Sequence, residues 1–208
     1  MRVGAIYTIG PYLFPRLIPE VQQIAPQMPL YIEENLTEVL RSKIRTGELD
    51  AIIIALPFHE PDVLTRAVYD ETFSLITPKG HELSKAGAVD SQKLNELDML
   101  LLGEGHCFRD QVLEACPSLN QSFHDQHRVT EGSSLETIRM MVASGLGTSV
   151  LPESALANHP SNALVDIVPF NDPKPMRSVA VAWRASFPRP QAIDVLVDAI
   201  AKCRALDS

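Results

Sequence analysis

The chain has 208 residues, of which 45% are hydrophobic, so it can bury a sizeable core as one large domain or as two smaller lobes. Its formal net charge of -8 argues against a nucleic-acid-binding surface, because binding to phosphates needs clustered lysines and arginines. The sequence contains no apolar run of about 18 residues and no signal-peptide pattern, so we expect a cytoplasmic protein that does not bind membranes. The cytoplasm keeps the three cysteines reduced, and a disulfide there would be transient and regulatory.

Apolar runs and helical patterns alternate over the first quarter of the chain. The predicted strands are residues 2–7, 30–33 and 51–56, and the predicted helices between them are residues 10–24 and 37–46. Pro11 suits the first turn of the first helix, Thr37 can cap the second helix, and Gly47 can end it. This order of elements predicts a βαβαβ unit with a parallel sheet.

The same alternation continues to the end of the chain. Further strands are predicted at residues 73–77, 99–102, 127–129, 148–151, 164–168 and 178–183, and helices at residues 92–97, 134–145, just after Pro152, and 191–206. We therefore predict an α/β fold with two Rossmann-like lobes, one formed by residues 1–72 with 179–208 and the other by residues 73–178. Open α/β sheets bind ligands at the carboxyl ends of their strands, so a cleft between the lobes is the expected binding site.

Two cysteines, Cys107 and Cys116, lie nine positions apart in a segment with a helical pattern. If the segment is helical, nine rises of roughly 1.5 Å separate the two residues by about 13 Å along the axis. A disulfide needs Cα atoms within roughly 7 Å, so oxidation could join them only by unwinding that helix. Cys107 also follows a glycine-containing loop at a predicted helix N-terminus, close to Arg109, and both features favour a thiolate. The pair therefore indicates a redox switch.

Other interpretations of the cysteines stay open. Buried cysteines often act as small, inert core residues, and Cys203 in the last predicted helix is interpreted as a packing residue or an incidental surface thiol. A metal site formed by Cys116, His124 and His127 is conceivable, but the spacing does not fit the compact cysteine pairs of structural zinc sites. We expect neither a metal nor a cofactor.

Two groups of motifs resemble a known family. The first group contains Ser134-Leu135-Glu136-Thr137 with residues 141–147 and 151–152, and also residues 47–53. The second group contains Gly105-His106-Cys107-Phe108-Arg109-Asp110-Gln111 with Cys116, and also Thr8-Ile9-Gly10-Pro11-Tyr12-Leu13-Phe14-Pro15. Over its whole length the chain resembles the effector-binding domain of LysR-type transcription regulators, and the second group resembles the members that sense hydrogen peroxide. The resemblance implies a fold like that of type 2 periplasmic binding proteins.

The resemblance also implies roles for individual residues. Cys107 would be the peroxidatic cysteine, and Cys116 would be the resolving cysteine that forms a disulfide with it. The residues expected to line the peroxide pocket are Thr8, Thr37, His106, Arg109, Asp110, His127 and Arg177. Threonine hydroxyls both donate and accept hydrogen bonds, as peroxide requires. Taken singly, Thr37 could be only a helix cap, and Arg177 could simply neutralise nearby carboxylates.

The partners implied by the resemblance are those of a DNA-bound regulator. Hydrogen peroxide would be the effector, and DNA would be bound by an N-terminal winged helix-turn-helix domain that is absent from this chain. RNA polymerase, a second copy of this domain in a homodimer, a tetramer of the full-length protein and a thiol reductant such as glutaredoxin are also expected. An activator of this kind is not an enzyme.

Two other functions compete with peroxide sensing. One is a LysR-type module that binds a small metabolite, with a carboxylate at the helix start formed by residues 134–137 and with incidental cysteines. The other is a thiol peroxidase that turns over peroxide catalytically, although the chain resembles no known peroxidase motif.

Overall fold

The structure is a computed structural model that describes residues 1–117 and 129–205. The strands are β1 (Arg2–Ile6), β2 (Tyr31–Asn35), β3 (Ala51–Ala55), β4 (Val63–Pro78), β5 (Met99–Leu102), β6 (Val129–Gly132), β7 (Ser149–Pro152), β8 (Val165–Pro169) and β9 (Met176–Arg184). The α-helices are α1 (Gly10–Ile24), α2 (Thr37–Thr46), α3 (Cys107–Ala115), α4 (Leu135–Ala143), α5 (Glu153–Leu156) and α6 (Pro190–Ala205). Short 3-10 helices cover Glu82–Lys85, Ser91–Glu96 and Pro160–Leu164.

The chain divides into two compact units, Met1–Asp70 with Arg177–Ser208, and Glu71–Met176. β4 carries the chain from the first unit into the second, and β9 carries it back. The boundaries expected from the sequence lie two residues further along the chain at each crossing. Among the described residues, no helix has the length and apolar character needed to cross a membrane.

The first unit contains the predicted βαβαβ arrangement. β1 pairs in parallel with β2 on one side and with β3 on the other, and β9 adds an antiparallel strand beside β3. Every residue of β3 is buried, as expected for a central strand with an apolar sequence. Pro11 occupies the first turn of α1, and Gly47 ends α2 with a φ of 80°, a left-handed conformation that glycine adopts without strain. These predictions are confirmed.

The predicted cap of α2 is wrong. Leu36 occupies the N-cap position, Thr37 is already inside the helix, and no side chain caps the first turn. The side chain of Asn35 instead accepts a hydrogen bond from the backbone N–H of Leu36 at 3.0 Å. Residue type alone favoured threonine at the cap, but the helix begins one residue earlier than a cap at Thr37 implies.

The second unit is built from antiparallel and parallel pairs. β4 pairs antiparallel with β7 and with β8, whereas β5 pairs in parallel with β6. The predicted strand 73–77 is only the last part of the sixteen-residue β4, whose earlier residues are mostly exposed and lack an apolar pattern. The predicted helix 92–97 is a 3-10 helix, and the predicted strand 127–129 overlaps the described residues only at the start of β6.

The start of α4 agrees with the prediction. The Ser134 hydroxyl accepts a hydrogen bond from the Thr137 N–H at 3.1 Å, so this residue is the N-cap. The α/β fold class predicted from the sequence is confirmed.

Candidate redox site

Helix α3 carries the two cysteines at its two ends. Cys107 is the first residue of the helix and is partly exposed, whereas Cys116 follows the last residue and is fully buried. Both are thiols. A helix of this length keeps its ends on the order of 13 Å apart at about 1.5 Å per residue, well beyond the roughly 7 Å that a disulfide allows. The predicted helix is therefore confirmed, and joining the cysteines requires that it unwinds.

Helix α3 has no side-chain cap, and tertiary contacts hold it in place. His106 occupies the N-cap position without a side-chain hydrogen bond to the helix. Phe108 is buried and meets the Phe73 ring edge-on, with 5.1 Å between ring centroids. Val112 is fully buried, whereas Leu113 is only partly buried. A helix held in this way can be released when its packing contacts are lost.

Arg109 joins the first turn of α3 to the neighbouring sheet. Its Nη1 donates to the backbone oxygen of Leu102, the last residue of β5, at 3.1 Å, and also to the carboxylate of Glu131 on β6. Asp110, the next residue, is exposed in the same turn. The sequence analysis missed Glu131, because its position 22 residues beyond Arg109 gives no sign of contact until β5 and β6 are paired.

Burial affects the protonation of His106, the residue that precedes Cys107. It lowers the pKa of His106 from its ordinary value of 6.5, so the imidazole is neutral near pH 7. His106 therefore does not supply a positive charge to a thiolate at neutral pH. Because the unfolded chain binds this proton more tightly, the contribution of His106 to stability falls as the pH drops below about 6.5.

Burial has the opposite effect on the thiol of Cys116. It raises the pKa of Cys116 from 9.0 to about 11, which keeps this group a thiol at neutral pH. Cys116 is therefore protected from direct reaction while α3 is intact.

This protection leads to a prediction about alkylation. At pH 8, iodoacetamide should modify Cys107 at least about tenfold faster than Cys116, because only a thiolate reacts and Cys116 is both protonated and buried. Between pH 9 and about 11 the unfolded chain ionises Cys116 before the folded chain does, so stability should fall across that window. Peptide mass spectrometry of timed samples checks the order of modification, and equal rates at pH 8 would contradict it.

The first unit contains three predicted pocket residues, Thr8, Thr37 and Arg177, and the two threonines lie just beyond the ends of β1 and β2. Ile6 and Asn35, the last residues of these parallel strands, are in register, so the strands end side by side. Thr8 and Thr37 each lie two residues beyond a strand end, at the same edge of the sheet.

Two of these side chains are joined in a buried cluster. Arg177 is almost completely buried, and its guanidinium donates to the Thr8 hydroxyl and to the Thr8 backbone oxygen, both at 2.9 Å. Because the Thr8 oxygen accepts from Arg177, the hydroxyl hydrogen remains available to donate to a ligand.

The Thr37 hydroxyl oxygen is buried, and it has no hydrogen-bond partner within the described part of the chain. A buried hydroxyl without a partner is costly, so this oxygen is a candidate ligand contact.

The predicted site residues thus fall into two groups. His106, Cys107, Arg109 and Asp110 lie together at the start of α3 in the second unit, and Thr8, Thr37 and Arg177 lie in the first unit. His127 lies outside the described residues. So does His124, and the metal site suggested for them with Cys116 is therefore untested.

Comparison with known proteins defines the class. Residues 1–204 match the family described as the LysR substrate binding domain. The chain therefore belongs to the LysR substrate-binding domain family.

Within that family the chain is similar to solved structures of OxyR. It is 60% identical to the reduced OxyR regulatory domain from Pseudomonas aeruginosa, with a TM-score of 0.87 and coverage of 98% of each chain. It is 44% identical to a reduced form of OxyR from N. meningitidis, with a TM-score of 0.92 and coverage of 97% of this chain and 94% of that chain. The resemblance predicted from the sequence is confirmed.

A curated relative extends beyond this chain. The chain is 36% identical over 186 residues to a probable hydrogen peroxide-inducible genes activator from Mycobacterium avium. The aligned region covers 89% of this chain and 59% of the relative. The chain thus spans a little under two thirds of the length of that protein.

Proposed function

We propose that this chain is the part of a transcription regulator that senses hydrogen peroxide, with Cys107 as the peroxidatic cysteine and Cys116 as the resolving cysteine. The observation that carries the proposal is their placement at opposite ends of an intact helix, one thiol partly exposed and the other buried. The name of the Mycobacterium avium relative, a peroxide-inducible genes activator, supports the choice of oxidant.

The chemistry would occur in two steps. The Cys107 thiolate attacks one oxygen of hydrogen peroxide, the O–O bond breaks, and hydroxide leaves and takes up a proton from solvent, which gives a sulfenic acid. When α3 unwinds, the Cys116 sulfur attacks the sulfenic sulfur, an S–S bond forms, and water leaves. A dithiol reductant of the glutaredoxin type would restore both thiols by exchange.

The polar residues would assist the first step. Thr8 and Thr37 would bind peroxide through their hydroxyls, and Arg177 would fix the orientation of Thr8. His106, being neutral, would act as a hydrogen-bonding group beside the thiol, and Arg109 would favour the thiolate by its charge. Asp110 and His127 are further candidates for the pocket.

Valine variants of Thr8 and Thr37 should affect the rate of Cys107 oxidation and the free energy of unfolding differently. Thr8→Val and Thr37→Val should each slow the oxidation of Cys107 by on the order of tenfold, the effect of losing one positioning hydrogen bond. Thr8→Val should also cost about 1–3 kcal/mol of unfolding free energy, because it leaves a buried Arg177 donor without its acceptor. Thr37→Val should cost nothing, since its hydroxyl oxygen bonds to nothing in the described structure.

Quenched-flow thiol counting and urea denaturation measure the two effects. Thr46→Val is the matched control, because that hydroxyl is on the exposed end of α2. Oxidation as fast in both variants as in wild type would remove Thr8 and Thr37 from the peroxide site.

The wider assembly is also part of the proposal. The full-length protein would be a cytoplasmic activator that binds DNA through an N-terminal winged helix-turn-helix domain and contacts RNA polymerase. This domain would form homodimers within a tetramer. It would signal through one oxidation per cycle and would not turn over peroxide as an enzyme.

Thiol counting tests the proposal against the metabolite-binding alternative. A brief micromolar pulse of peroxide should remove two thiols per chain, and peptide mapping should place the disulfide between Cys107 and Cys116. An unchanged thiol count would favour the alternative.

A further inference from the structure

Glu131 is an exposed residue of β6 whose carboxylate reaches the helix that carries Cys107. Its side chain is 51% exposed, whereas that of Arg109, its partner, is only 15% exposed. The same Arg109 nitrogen donates to the backbone oxygen of Leu102 at the end of β5. One guanidinium therefore fastens the first turn of α3 to both strands of the β5–β6 pair.

The surroundings of Glu131 add to this contact. Glu131 is in register with Leu101, one residue before the end of β5, and the N–H of Gly103 donates to the oxygen of Gly132 at 3.2 Å. A Cβ atom at Gly103 would lie 3.4 Å from the Glu131 carboxylate. The carboxylate thus covers the start of the loop 103–106 that leads to Cys107.

The first turn of α3 depends on such contacts because it has no side-chain cap. Cys107 and Arg109 are both in that turn, so the bonds of Arg109 to Leu102 and Glu131 favour the closed turn. Disulfide formation needs the turn to open, whereas the attack on peroxide takes place in the closed form. A contact that favours the closed form therefore slows the second step more than the first.

We propose that Glu131 is a positioning residue that acts through Arg109 to hold the first turn of α3 closed and so delays disulfide formation after Cys107 is oxidised. The proposal rests on the proposed function of the two cysteines. The chemistry of disulfide formation is the same with or without Glu131: the sulfenic acid loses its oxygen as water, and the sulfurs of Cys107 and Cys116 become bonded. Glu131 exchanges neither protons nor electrons in this step.

The test compares two variants that each remove one carboxylate charge from the second unit. Glu131→Gln breaks the ion pair with Arg109 while keeping the size of the side chain. Glu96→Gln breaks the Lys93–Glu96 pair, an exposed ion pair in a different element of the same unit. In rapid-quench experiments on the whole chain, the phase that depends on peroxide concentration reports oxidation of Cys107, and the phase that does not depend on it reports disulfide closure.

We expect closure to be about two- to fivefold faster in Glu131→Gln than in wild type, the range that one partly exposed ion pair supplies. Glu96→Gln should close at the wild-type rate, and Glu131→Asp, which restores the charge with a shorter reach, should lie between wild type and Glu131→Gln. Closure in Glu131→Gln at or below the wild-type rate would overturn the proposal, as would equal acceleration by Glu96→Gln.

Failure of the proposed function is distinguishable from failure of this inference. If wild type loses no thiols to peroxide, the assigned function fails, and hydrogen exchange of the reduced protein then decides the role of Glu131. Faster exchange of amides 110–113, which donate to the carbonyl groups of the first turn, in Glu131→Gln than in Glu96→Gln supports the positioning role, and equal exchange overturns it.

Discussion

Replacing Cys107 with serine is expected to abolish the response to peroxide. A serine hydroxyl does not ionise near neutral pH and is not a usable nucleophile toward peroxide. The only other thiol of α3, Cys116, is buried, and its pKa is raised to about 11, so it does not replace Cys107. Mass spectrometry after a micromolar peroxide pulse should find no disulfide and no oxidised cysteine in the variant.

The companion variants define the roles of the remaining thiols. Cys116→Ser should still be oxidised once, and it should stop at the sulfenic acid or at overoxidised forms because no resolving thiol is present. Cys203→Ala, in the buried face of α6, should behave as wild type. If Cys107→Ser still forms a disulfide at low peroxide, the nucleophile is wrongly assigned.

Among substitutions in α3, truncation of Phe108 is expected to cause the largest loss of unfolding free energy. Phe108→Ala removes a buried ring that packs edge-on against Phe73, and substitutions of this kind cost about 3–5 kcal/mol of unfolding free energy. Urea denaturation of the reduced protein measures the effect.

The control for this variant is an exposed apolar residue in the same unit. Leu146 is 54% exposed, and Leu146→Ala should change the unfolding free energy by less than about 0.5 kcal/mol. A loss below about 1 kcal/mol in Phe108→Ala would mean that the packing of its ring does not hold α3.

Local patterns in the sequence were sufficient to predict most of the elements. The apolar run of β3, Gly47 after α2, and Ser134 before α4 each predict structure through interactions within a few residues. The helical pattern between Cys107 and Cys116 was likewise sufficient to predict α3.

Contacts that depend on the tertiary fold could not be predicted. Arg177 and Thr8 are 169 positions apart, so only the folded first unit shows that the guanidinium binds that threonine. The pairing of Arg109 with Glu131 likewise depends on β5 and β6 lying side by side. The cap expected at Thr37 was wrong by one position, because residue preference at a single position does not fix where a helix begins.

Hydrogen exchange across α3, compared between the reduced protein and the protein carrying the Cys107–Cys116 disulfide, shows whether the helix unwinds on oxidation. In the reduced state the helix is intact and keeps its two cysteines too far apart to bond. We expect the amides of residues 108–116 to lose protection when the disulfide forms, while those of β3, which belongs to the first unit, keep it. Unchanged protection across residues 108–116 in the oxidised protein would contradict the unwinding of α3.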